Sequence, residues 1–146
     1  MILLDANILL YAYDRSSPVH EPARRCLINA FASPERVGFS WSTVLAFLRI
    51  ATNPKIFREP FSIDEAVAIV EDWLAQPNAA LLHPGEQHWS ILRDLLLETN
   101  ANAKLVMDAH LAALAIEHDA TFLTRDTDFE AFPGLRLLNP FASGNE

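Results

Sequence analysis

Four aspartates occupy the places where an alternating α/β chain most readily assembles chemistry: Asp5, Asp108, Asp126 and Asp128. Asp5 closes the apolar run Met1 to Leu4, and Asp126 and Asp128 follow Ala120-Thr121-Phe122-Leu123-Thr124. Asp108 opens the helical pattern that leads into that second run. In an open parallel sheet, ligands bind beyond the carboxyl ends of the strands, where strand order reverses. If the first and fourth strands are neighbours, Asp5 and Asp126 enter one crevice, and Asp108 has a route to it. Carboxylates crowded together repel one another and take up protons unless a cation compensates them. An all-oxygen set suits Mg²⁺ or Mn²⁺. The chemistry then within reach is attack of water on a phosphodiester, with the charge of the phosphoryl group neutralised. Asn7 and Thr124 are spaced to orient a carboxylate or a water by hydrogen bonding.

Each acid also has a plainer reading. Asp108 fits a helix N-cap. Asp126 and Asp128 fit a turn after a strand, and so does Asp5. Periodicity alone leaves the function open. Other chemistries are poorly served: there is no GxGxxG, no GxxxxGK[ST] and no GxSxG. His20, His83, His88, His110 and His118 contain no HExxH and no close pair at ligand spacing on one helix, so surface or interface roles are expected of them. Cys26 is the only cysteine, which excludes an internal disulfide and a multi-cysteine zinc site; its setting, ARRCLINAF, reads as core filling.

The elements that must position these acids follow from the hydrophobic pattern. Strands are expected at Met1 to Leu4, Arg36 to Ser40, Ala79 to Leu82, Ala120 to Thr124 and Leu135 to Leu138. Between them, Ala23, Leu27, Ala30 and Phe31 have helical spacing. A second helix runs through Val44, Phe47, Leu48 and Ile50, capped by Ser42 or Thr43, and stops before Thr52-Asn53-Pro54. Ser62-Ile63-Asp64-Glu65 reads as a capping box for a third, which carries Val67, Val70 and Trp73. Trp89, Leu92, Leu95 and Leu96 form a fourth stripe, and Leu111, Ala112, Ala115 and Ile116 a fifth. Strands alternating with helices at these intervals predict a three-layer α/β/α sandwich around a parallel sheet of about five strands. Trp73, Trp89 and their helices could supply an apolar interface, or only core.

With 51% hydrophobic and 21% charged residues, 146 residues have the proportions of one globular domain spanning 1–146, without repeat or linker. No stretch approaches the roughly 18 apolar residues of a membrane span, and an acid sits where a signal peptide carries positive charge, so a cytoplasmic protein is expected. A net charge of −8 argues against nonspecific binding of nucleic acid by overall charge, yet acids gathered around a cation would themselves make a site negative. Lys104, Arg49, Lys55, Arg58, Arg93 and Arg125 are the candidates for phosphate contacts, with Arg49 to Arg58 the most suggestive cluster.

The segments MILLDANILLYAY, FSWSTVLAFLRIATNPKIF, VMDAHLAALAIEHDATFLTRDTDF and FPGLRLLNP resemble the PIN-domain family, and within it the VapC-type toxins of bacterial toxin-antitoxin pairs. The resemblance extends over nearly the whole chain. It implies Mg²⁺- or Mn²⁺-dependent endonucleolytic cleavage of RNA, neutralisation by a VapB-like antitoxin and a homodimer. Asp5, Asp108 and Asp126 match the family's metal-binding acids, and Asp128 the second acid of its D-x-D-F ending. Many PIN domains carry a glutamate in a run A-E-L-R, where this chain reads Ala46-Phe47-Leu48-Arg49. By that pattern Phe47 stands at the glutamate's position, Asp128 or water completes the shell, and metal binding is looser than in a four-acid relative. The competing reading is a PIN-fold module that binds RNA or protein with little or no catalysis.

Overall fold

A computed structural model describes residues 1–142. Strand β1 (Ile2–Leu4) leads into helices α1 (Ala6–Tyr13) and α2 (His20–Ala32), and β2 (Val37–Phe39) into α3 (Trp41–Ala51) and α4 (Ile63–Leu74). Next come β3 (Ala79–Leu81), α5 (His88–Glu98), α6 (Ala103–Glu117) and β4 (Thr121–Leu123). A 3-10 helix (Thr127–Ala131) and β5 (Arg136–Leu138) complete the described chain. The sheet has the order β3-β2-β1-β4-β5, and every pairing is parallel. β1 therefore lies between β2 and β4, at the point where the strand order reverses.

Side chains alternate across the strands and divide the core in two. Leu4, Phe39 and Leu123 face a cluster built with Ile8, Leu27, Val44, Phe47, Val70 and Trp73, so α1 to α4 cover that side. Leu3 and Phe122 face the other side, against Leu95 of α5 and the alanine-rich stretch Ala109 to Ala115 of α6. This is the expected three-layer sandwich. No helix among the described residues is long and apolar enough to cross a membrane.

Side-chain caps mark the starts of three α-helices, α3, α4 and α6. Ser62 and Glu65 form the expected capping box, with Glu65 N–H donating to Ser62 Oγ (3.1 Å) and Ser62 N–H to Glu65 Oε1 (2.8 Å). Two starts differ from expectation. Ser40, rather than Ser42 or Thr43, caps α3, its Oγ accepting from Thr43 N–H at 3.0 Å. Asn102 caps α6, its side-chain oxygen accepting from Lys104 and Leu105, so that helix begins five residues before Asp108. The tryptophans also separate: Trp73 is core and donates to the Tyr13 hydroxyl (2.9 Å), whereas Trp89 is exposed. Cys26 is half-buried, and burial pushes its thiol pKa up, as core filling requires.

Candidate active site

The parallel register sets Ile2, Leu3 and Leu4 beside Thr121, Phe122 and Leu123, so the next residues in each strand direction, Asp5 and Thr124, emerge side by side. Asp5 N–H still donates to Leu123 O (3.0 Å), which carries the pairing one residue past the strands. The Thr124 hydroxyl donates to Asp5 Oδ2 at 2.7 Å and accepts from Asp126 N–H at 2.9 Å. Asp126 Oδ1 in turn accepts from Asp128 N–H at 2.9 Å and caps the 3-10 helix. One hydroxyl thus ties the ends of β1 and β4 together and fixes the turn that carries two of the acids. The turn-forming reading of Asp126 is correct, and it is also what holds Asp128 in place.

The four acids have different surroundings. Asp5 is buried, and that burial raises its pKa; the Thr124 hydroxyl and the main-chain N–H groups of Asn7 and Ala6 oppose the shift, while Asp126 adds to it. What Asn7 offers is its backbone: its side chain is exposed and makes no hydrogen bond among the described residues. Asp108 lies in the second turn of α6. With Asn102 as the cap, capping does not account for an aspartate there, at a position where aspartate is a poor helix former. Its pKa is pushed up to about 6, first by burial and then by the charges of Asp126, Asp5 and Asp128; Lys104 acts in the opposite direction. Carboxylate oxygens of Asp108, Asp126 and Asp128 all lie within 4.8 Å of one another. Lys104, one helical turn before Asp108, reaches Asp128 Oδ2 at 3.5 Å.

This arrangement fits a divalent cation. The donors are all oxygen, and three of them converge from a helix and a turn. Their mutual repulsion is only partly offset by one exposed lysine. A cation would remove the repulsion that raises the Asp108 pKa.

α3 contributes no carboxylate, and the reason differs from the one expected. Phe47 is fully buried and faces the core, its ring 4.6 Å from Trp73 and 5.7 Å from Tyr13 between centroids. On α3, Ser42, Ala46 and Arg49 line a groove with Ala6 and Met107, the chain neighbours of Asp5 and Asp108. Phe47, the position matched to the family's glutamate, thus faces the core, and Ala46, one residue earlier, lines the groove.

Residues 2–135 match the PIN domain family. The chain belongs to that family. Ribonuclease VapC37 of Mycobacterium tuberculosis is 44% identical over 140 residues, which cover 96% of this chain and 97% of that protein. Ribonuclease VapC43 from the same species is 38% identical over 140 residues, covering 96% and 95%. Among solved PIN-fold structures, the VapBC2 complex of Rickettsia felis bound to promoter DNA superposes with a TM-score of 0.69 at 17% identity, covering 95% of this chain and 98% of the other. Mycobacterium tuberculosis VapC20, a sarcin-ricin loop cleaving toxin, gives 0.66 at 16% identity, covering 93% and 99%. At such identities these structures establish the fold, which is the PIN sandwich with its acids at the β1/β4 edge.

Sequence reasoning missed one juxtaposition between α5 and α6. His88 Nε2 and His110 Nδ1 are 3.0 Å apart across the α5/α6 packing, and His88 Nδ1 lies 3.8 Å from Glu117 Oε1. Burial, and then His88, lower the His110 pKa. The two histidines are 22 residues apart on different helices, so no spacing rule along one helix could have paired them.

Proposed function

We propose that this chain is a Mg²⁺- or Mn²⁺-dependent endoribonuclease and the toxin of a VapBC-type pair, held in check by a cognate VapB-like antitoxin. The observation that carries the reading is the convergence of Asp108, Asp126 and Asp128 beside a buried, hydrogen-bonded Asp5, in a chain 44% identical to a protein named as a VapC ribonuclease. We take residues 1–146 as one PIN domain that acts in the cytoplasm as a homodimer.

Asp108, Asp126 and Asp128 would hold the cation, and Asp5 would complete its shell from the β1 end. When bound, the cation supplies Lewis acidity that activates water and neutralises charge on the phosphoryl oxygens. The protein's part is orientation. Thr124 fixes the Asp5 carboxylate by donating to Oδ2, and the same hydroxyl, through Asp126 N–H, fixes the distance between the β1 and β4 acids. Lys104 screens Asp128 and stands ready to meet a phosphate that approaches along α6.

The test is cleavage of RNA with Mg²⁺ or Mn²⁺ present, with chelator added, and with Asp5→Asn or Asp126→Asn substituted. Cleavage is expected only with metal and to fall by at least about 10²-fold in either variant, each remaining folded. Metal-independent cleavage, or cleavage untouched by both substitutions, would overturn the reading. The absence of any acid on α3 favours one rival, a PIN-fold module that binds RNA or protein without cutting. It predicts RNA binding with no cleavage at any metal concentration.

A further inference from the structure

A groove of about 600 Å³ between α3 and α6 includes Ala6 and Met107, the chain neighbours of Asp5 and Asp108, in its lining. Leu45, Ala46 and Arg49 of α3 and Leu111 of α6 line the rest of it. The walls are chiefly apolar. Arg49 is exposed, and its guanidinium makes no hydrogen bond or ion pair among the described residues. On the outer edge of α3, Leu45 lines the groove and Trp41, one turn earlier on the same helical face, is half-exposed.

On the ribonuclease reading given above, we infer that this groove is a nucleotide subsite: it takes an unstacked base of single-stranded RNA next to the scissile bond, with Arg49 binding a flanking phosphate. The argument is one of continuity and charge. A strand whose phosphodiester lies at Asp5 and Asp108 must place one neighbouring nucleotide over the residues next to them, and those residues open the groove. Sequence-tolerant recognition of single strands uses apolar or aromatic faces for the bases and isolated cations for the phosphates. Leu45, Met107 and Trp41 supply the faces, and Arg49 the cation. In a chain of net charge −8, an unpaired arginine beside an acidic centre is a specific attraction rather than part of a basic surface. A second groove of similar size lies near Tyr13, Arg15, Arg24 and Phe61, but it includes none of the four acids or their chain neighbours.

The experiment uses a short oligoribonucleotide carrying 4-thiouridine, cross-linked with Mn²⁺ present to the full chain bearing Asp126→Asn, and peptide mapping of the product. Cross-links are expected within residues 41–49 or at Met107. Affinity is then measured against salt for Arg49→Gln and Trp41→Ala, both surface changes on a folded helix. Arg49→Gln should weaken RNA binding about tenfold and make the plot of log affinity against log salt shallower by about 0.7, the loss of one phosphate contact. Trp41→Ala should weaken binding about fivefold or more with the salt slope unchanged. In cleavage assays without Asp126→Asn, Arg49→Gln should act mainly on KM.

Cross-links confined to other surfaces, or both variants binding RNA with unaltered affinity and salt slope, would overturn the subsite while leaving the ribonuclease reading intact. A shift from dimer to monomer in Trp41→Ala with RNA affinity unchanged would assign the face to a second copy of the chain and overturn it equally. Failure of the unmodified protein to cleave any RNA removes the ribonuclease reading and the subsite with it.

Discussion

Two ends of the α3 neighbourhood are built on opposite terms. Beneath α3 and α4, Phe39, Phe47, Trp73 and Tyr13 stack and cross at centroid distances of 4.6 to 5.9 Å, and the indole N–H of Trp73 finds the Tyr13 hydroxyl. Nothing there is left unpaired. At the carboxyl edge of β1 and β4, carboxylates face one another, and burial together with the neighbouring acids pushes the Asp108 pKa up to about 6. The first region stabilises the fold. The second stores repulsion that Lys104 offsets only in part, which is a reason for a chain to keep it only if it acts on something.

That contrast is tested most severely by moving one carboxylate along α3. Phe47→Glu puts a charge into the aromatic cluster, where nothing pairs it, and should cost several kcal/mol, about 3–5, enough to unfold much of the population at 37 °C. Circular dichroism and thermal melting measure it. Ala46→Glu, one residue earlier, turns the same carboxylate into the groove beside the acids. It should leave the fold intact and tighten Mn²⁺ binding by about tenfold in a calorimetric titration. A stable Phe47→Glu protein with tighter metal binding, or an Ala46→Glu protein with none, would show that α3 sits in the other register.

The hydroxyl that joins the two strand ends gives a smaller effect. Thr124→Val keeps shape and β-propensity but strips Asp5 of its donor and Asp126 N–H of its acceptor, both in a poorly solvated place. A stability loss of about 1–3 kcal/mol and a drop in metal affinity or activity of about 10- to 100-fold are expected. Thr124→Ser, which retains the hydroxyl, should recover most of the affinity. Equal behaviour of the valine and serine variants would mean that the hydroxyl does not position the acids.

These contrasts also separate what the chain reveals from what it conceals. Most strands were legible as short, largely apolar runs, and Asp5 and Asp126 were legible because they follow such runs at the edge where parallel sheets bind ligands. The capping box at Ser62 was legible because both of its partners are local. Asp108 was recognised as a site residue but misplaced at the helix start, since Asn102, a cap with no acid or hydrophobic staple to advertise it, had already begun the helix. That Phe47 faces the core was not legible because helical positions turn by about 100° each, so an offset of one residue separates groove from core. The His88–His110 contact and the groove at Arg49 arise from helices packed by the tertiary fold, and no local pattern encodes them.

The smallest effect is the pH dependence of the metal-free protein, and it carries the sign of the stored repulsion. Asp108 and Asp5 have folded pKa values above the usual 3.8, so their contribution favours the native state fully below about pH 4 and is lost as pH rises, for Asp108 through about 6. His110 has the opposite sign: its pKa is lowered below 6.5, so its contribution is present above 6.5 and is lost as pH falls through the lower folded value. The two overlap, and Asp108→Asn separates them. Between pH 4 and 6.5, the melting temperature of Asp108→Asn should rise more steeply with pH than that of the unmodified chain, by about 1–3 °C across the interval, because a half-exposed site is partly screened by solvent. Saturating Mg²⁺ should stabilise the unmodified protein more at pH 7 than at pH 5, because at the lower pH it must first displace the proton on Asp108. Identical slopes with and without Asp108, and metal stabilisation that ignores pH, would mean that the acidic edge is as settled as the aromatic core.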